Sequence, residues 1–144
     1  MKKNTSITWG IFLLRIFGSF FMIYGHGGPK LIRLISGDPI RFANPIGIGA
    51  APSFILVVFA EFLCALFIFL GLFTRLSAIP LIVSMFVAAF IQHGSDSFAG
   101  KELALTYLLI FATLFLTGPG CYSLQKRLGI SLKISTGLKK YLVQ

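Results

Sequence analysis

The stretch PSFILVVFAEFLCALFIFLGL, residues 52–72, decides the fold. It holds one charged residue, Glu61, in a run otherwise apolar enough and long enough to cross hydrocarbon, which takes roughly 20 helical residues. Pro52 opens it, at the position where a helix loses nothing by lacking an N–H. Working outward, comparable runs lie at Trp9–Tyr24, Leu76–Gln92 and Glu102–Thr117. The expected fold is all-α: an integral membrane four-helix bundle, antiparallel, built from residues 1–124. Composition agrees. Of 144 residues, 56% are hydrophobic and 12% charged, and mean hydropathy is +0.90. A soluble domain this small has too much surface to hide so much apolar area.

The segments between the runs set the topology. Gly25-His26-Gly27-Gly28-Pro29 reads as a breaker that ends the first span. Residues 30–51 are too polar to span and too apolar for a solvated linker, so they predict a re-entrant or interfacial loop, with a short helical piece at Lys30–Ser36. Gly71-Leu72-Phe73-Thr74-Arg75 predicts a tight turn, and Gly118-Pro119-Gly120 a hard stop to the fourth span. Residues 125–144 form a basic interfacial tail. Leu128, Ile130, Leu132 and Ile134 alternate as in a strand, whereas Leu138, Tyr141 and Leu142 have helical spacing, and both readings stand. Lys2 and Lys3 before an apolar run imitate a signal peptide. Arg15 and the bulky Phe20-Phe21-Met22 argue for a retained span.

Lys and Arg number 13 against four Asp and Glu. The basic residues stand at the ends of apolar runs, which is the pattern of topology charges and not of a nucleic-acid groove. Eight fall on the side of the termini and the second loop. Lys30, Arg33, Arg41 and Lys101 fall on the other. Both termini are therefore expected in the cytoplasm. The expected partners are the lipid bilayer and further copies of the chain, with no nucleic acid.

An ionisable group at bilayer depth costs roughly 2.5–3.5 kcal/mol by insertion scales unless paired or wetted. Arg15, about 9 Å into its span, and Glu61, about 16 Å into the antiparallel second span, are such groups. An Arg15–Glu61 ion pair that fixes register and a functional pair are both open readings. On the outer side, His26 and Lys30 follow the first span, His93 closes the third and Glu102 opens the fourth. With Glu61 they predict one outward-facing pocket with Glu61, His93 and His26 as catalytic groups and Arg15, Lys30 and Glu102 as substrate-binding groups. Taken singly, each has a plain role: headgroup-level histidines, a snorkelling lysine, a glutamate at a helix start. No spacing enforces a metal site, and Cys64 and Cys121 form no CxxC pair.

Taken together, these residues resemble the DoxX family of small four-helix membrane proteins, over most of the chain up to about Leu124. The resemblance rests on Arg15 with Gly18, Gly25-His26-Gly27…Lys30-Leu31, Glu61, Gly71-Leu72-Phe73-Thr74-Arg75, His93, Glu102 with Tyr107, and Gly118-Pro119-Gly120-Cys121-Tyr122-Ser123-Leu124. Gln125 departs from it, since Asp is common after Ser-Leu, and so does Ala65, where Gly is common. The resemblance implies a quinone-linked oxidoreductase or its membrane subunit in a bacterial cytoplasmic (inner) membrane, acting on thiosulfate or another small sulfur or oxidant substrate, with quinone as co-substrate and a membrane or periplasmic redox subunit as partner. No flavin, haem or metal motif accompanies it. The rival implication is a non-enzymatic membrane scaffold, chaperone or small-solute carrier.

Overall fold

The computed structural model describes residues 5–129. Four helices are long and apolar enough to cross a membrane: α1 (Thr5–Ile35), α2 (Ala50–Leu70), α3 (Thr74–Gln92) and α4 (Phe98–Thr117). A single-turn helix, α5 (Leu124–Arg127), follows. Among the described residues there is no strand. The chain is a multi-pass, all-α membrane protein. Its antiparallel order gives a proximal end, with the start of α1, the α2–α3 turn and the end of α4, and a distal end with the two other loops. The strand-like and helix-like alternatives for the tail fall mostly on residues 130–144, outside those described.

The core is built from small and flexible side chains: Ala60, Ala65, Ala78, Cys64, Met22 and Met85, with Ile68, Leu81, Phe111 and Leu114. Small residues let helix backbones approach, which matters in lipid, where apolar burial alone does not drive helices together. Most of the phenylalanines of α1, Phe17, Phe20 and Phe21, point outward, as do Phe59, Phe86 and Phe90. They meet acyl chains.

The first span does not end at Gly25–Pro29. It runs on as one helix of 31 residues, with wide π-type turns over Ile23–Gly27 immediately before the Pro29 segment. A true break here would expose unpaired backbone groups to hydrocarbon. A proline ring collides with the carbonyl one turn back, and a wide turn before it relieves that clash without interrupting the helix. The expected short helix at Lys30–Ser36 is thus the last part of α1. At about 46 Å, α1 exceeds the hydrocarbon thickness by half, so one of its ends lies at headgroup level or beyond.

The proximal end is held by one side chain. Arg15, 2% exposed, donates from Nη1 to the carbonyls of Ile68 (3.1 Å) and Phe69 (2.8 Å), and from Nη2 to that of Tyr122 (2.6 Å). It thereby joins α1 to the end of α2 and to the segment after α4. Two of the acceptors are last-turn carbonyls of α2, at the negative end of its dipole, and the third lies in the segment between α4 and α5. Gly71 completes the stop in a Schellman motif: its N–H donates to Ile68 and that of Leu72 to Phe67. Its φ is +70°, and a Cβ there would lie 2.4 Å from Arg15 Nη1. Gln125 is buried against the same turn, its Oε1 accepting from Phe73 N–H at 2.8 Å. Phe73 is the one non-glycine with positive φ among the described residues, and this bond holds it. The amide oxygen supplies the acceptor that a carboxylate would supply in its place. Arg75 caps the next helix end, donating to Leu116 O.

Candidate functional site

Toward the other end of α1 the chain makes a second electrostatic contact, between a partly exposed cation and a buried carboxylate. Lys30 forms an ion pair with Glu61. Glu61 lies near the middle of the 21-residue α2, inside wide turns over Phe59–Cys64. Its side chain is 5% exposed, and that of Lys30 27%. Helical side chains slant toward the N-terminus of their helix, so Lys30, placed one turn beyond the contact point, reaches back to the carboxylate. The contact point itself is Gly27. A Cβ there would lie 2.3 Å from the Glu61 carbonyl oxygen, so only glycine lets the two backbones meet.

Two rings complete the cluster. His26 sits one helical turn before Lys30 and within electrostatic range of both charges. Its ring packs edge-on against Tyr107 of α4, centroids 5.5 Å apart. Tyr107 is 8% exposed, stacks on Phe111, and also lies within the field of Glu61. A cation, a carboxylate, an imidazole and a phenol, from three helices, thus share one region of the distal half. Such a set can bind an anion, polarise a carbonyl, or pass a proton between groups that each hold one. Two of its members, His26 and Glu61, lie in π-type turns, which often mark functional sites.

Three residues grouped with this site by sequence lie elsewhere. Arg15 does not pair with Glu61. It is spent on the carbonyls of Ile68, Phe69 and Tyr122 at the proximal end, because α2 ends within its reach and these carbonyl oxygens have lone pairs to offer there. His93 does not enter the cluster either. Its Nδ1 shares a 2.7 Å hydrogen bond with Oδ2 of Asp96, three residues on, and both side chains are over 40% exposed. The short loop offers a carboxylate nearer than the bundle does. Glu102 is exposed on α4 and makes no ion pair among the described residues. The structure therefore brings together His26, Lys30 and Glu61, and leaves out Arg15, His93 and Glu102.

Tyr107 was visible in the sequence only as part of the family resemblance. A lone tyrosine in an apolar run normally reads as an interfacial anchor, and nothing in its spacing announces a partner on another helix. Among the described residues no three His, Cys, Asp or Glu side chains are placed to hold a metal ion.

The model of the family described as DoxX matches residues 10–94 of the chain, more than half its length. The match takes in His26, Lys30 and Glu61 and stops short of Tyr107. No curated protein and no solved structure matches the chain.

Proposed function

The chain belongs to the DoxX family, and from that premise we propose that it is the membrane-embedded part of a quinone-linked oxidoreductase, with Lys30, Glu61, His26 and Tyr107 as its charge- and proton-handling site. The observation that carries the reading is the Lys30–Glu61 pair, its carboxylate buried, with an imidazole and a phenol beside it. A register lock would need the ion pair alone. The added imidazole and phenol on two helices suit chemistry that moves protons.

In the reaction, two electrons leave a small reduced donor, and with two protons they convert one quinone to its quinol. With thiosulfate as donor, two ions join through a new S–S bond as tetrathionate and release the two electrons. The partly exposed Lys30 ammonium attracts the anionic donor and stabilises negative charge developing beside it. Glu61 and His26 hold and pass on the two protons that quinol formation takes up, and Tyr107 holds the imidazole plane. The distal end then faces the outside of a bacterial cytoplasmic membrane, where donor and quinone pool meet, and a periplasmic or membrane partner subunit docks there.

A second reading has its own support. The ion pair joins α1 to α2 at the Gly27 crossing, as a scaffold or carrier would require. Quinol formation separates the two. Protein reconstituted in liposomes with thiosulfate and a decyl-substituted benzoquinone should produce quinol, and Glu61→Gln and His26→Ala should each lower kcat by at least 100-fold, the scale of lost general acid–base catalysis. Quinol formation that is absent from wild type across sulfur-oxyanion donors, while both variants fold, would leave the scaffold reading standing.

A further inference from the structure

The distal half also contains a cavity that the ion-pair cluster does not use. It is a slot of about 310 Å³ between α2 and α3, roofed by Phe42 and Ile46 of the 36–49 loop and lined by Ser53, Val57, Ala60 and Val83. The roof is fixed. Phe42 packs on Phe54 with ring centroids 5.2 Å apart, Arg33 lies over the other ring, and its guanidinium donates to the carbonyls of Pro39 and Arg41. One side of the slot is formed by lipid-facing residues such as Val83, so it is continuous with the bilayer.

Its chemistry limits what can enter. No charged residue lines it, and an unpaired charge brought into such a place is expelled by its desolvation cost. A phospholipid headgroup is therefore unsuited to the roofed end. Ser53 is 5% exposed, lines the slot at that end, and its hydroxyl has no hydrogen-bond partner among the described residues. A buried hydroxyl facing a cavity calls for an acceptor from whatever occupies it. From Ser53 to Ala60 the slot follows two turns of α2, about 10 Å, and by volume it takes roughly 11 methylene-sized groups.

We propose that this slot binds one neutral, single-chain lipid whose polar end carries a carbonyl that accepts from the Ser53 hydroxyl, and, resting on the quinone reading above, that this lipid is the quinone, its head under the loop and its prenyl chain leaving between α2 and α3. The carbonyl receives the Ser53 hydroxyl proton as a hydrogen bond. Phe42 and Ile46 shield the ring from water, and Val83 guides the chain out to lipid.

Photolabelling tests this with the full chain in phosphatidylcholine nanodiscs and an azido-naphthoquinone carrying two isoprene units. Peptides containing Phe42–Ile46, Ser53–Ala60 or Ile79–Val87 should carry the label. Val83→Trp, which fills the slot from its lipid side, should cut labelling at least tenfold. Ser53→Ala should weaken it about fivefold, the worth of one neutral hydrogen bond. Ile91→Trp, on the lipid face of α3 outside the slot, should leave it unchanged. Label confined to other peptides, or undiminished in Val83→Trp, overturns the proposal. So does equal labelling of the slot by a chain-labelled phosphatidylcholine that quinone fails to displace. Labelling of the slot without any quinol formation would uphold the slot and sink the redox reading. Unchanged quinone KM in Val83→Trp, with turnover intact, would do the reverse.

Discussion

Replacing Arg15 should unfasten the proximal end and leave the distal site working. Arg15→Met removes three hydrogen bonds from a charged donor and leaves the carbonyls of Phe69 and Tyr122 without this partner. Intramembrane hydrogen bonds average about 0.6 kcal/mol, so three set a floor of about 2 kcal/mol. Breaking a buried charged contact sets a ceiling of about 5 kcal/mol. Arg15→Lys should lose less, about 1–2 kcal/mol, because an ammonium reaches the α2 carbonyls but cannot span to Tyr122 as the guanidinium fork does. Gly71→Ala provides the cross-check. It costs about 1 kcal/mol or more for a positive φ, and its methyl collides with Nη1 of Arg15. In the Arg15→Met background that collision is gone, so the two losses should sum to less than their separate values. The assay is unfolding in mixed micelles by titration with dodecyl sulfate, read by fluorescence of Trp9, the only tryptophan, whose ring lies 5.2 Å from Tyr122. An unchanged midpoint for Arg15→Met would refute the capping role. Loss of quinol formation at unchanged stability would return Arg15 to the substrate site.

The ion pair should respond asymmetrically to its two deletions. Glu61→Gln frees a lysine that is already 27% exposed and can turn to the headgroups, so stability should fall by about 1 kcal/mol or less, whereas Lys30→Met strands a carboxylate that is 5% exposed and should cost about 3 kcal/mol by the same titration. Equal losses would mean that Glu61 is wetted. His93→Ala, in an exposed pair with Asp96, should stay within about 0.5 kcal/mol and within twofold of wild-type quinol formation. A larger fall in turnover would place His93 back at the site. Gln125→Leu should cost about 1 kcal/mol by releasing the Phe73 N–H, again read at Trp9.

What was legible in the sequence was whatever hydrocarbon dictates directly. Four runs of sufficient length give four spans, with starts displaced by two to four residues, because helices begin before their apolar stretch does: α4 starts at Phe98, ahead of Lys101 and Glu102. Glu61 stood out because nothing near it in the sequence repays its burial. Partners were much less legible. A pairing across helices depends on where the neighbouring helix stops and which way each side chain slants, and neither follows from depth along one's own helix. Depth alone matches Arg15 to Glu61, whereas the deciding fact is the set of carbonyls that the end of α2 and Tyr122 present to it. The Gly25–Pro29 segment was read by rules for water, where an interrupted helix is solvated. In lipid the same residues sustain a helix with wide turns, and their glycines serve backbone approach.

The family signature divides along the same line. Arg15, Gly71 through Arg75, and Tyr122 through Leu124, with Gln125 in place of the usual Asp, interlock in one proximal node in which almost every polar contact is a helix-end carbonyl or N–H satisfied. Any chain needing this fold would need them, whatever it does, so their presence argues for architecture alone. His26, Lys30, Glu61 and Tyr107 are different. A bundle of this size could close its distal end with apolar residues and avoid the desolvation of a lysine and a glutamate altogether. Gly27 makes the cost harder to explain structurally, since the backbone contact it permits already fixes the α1–α2 crossing without the ion pair. A double replacement, Lys30→Met with Glu61→Leu, therefore separates the two purposes. If the pair is there for chemistry, the double variant should be at least as stable as wild type and inactive. If it unfolds, the pair is part of the scaffold after all, and the function must be sought elsewhere on the bundle.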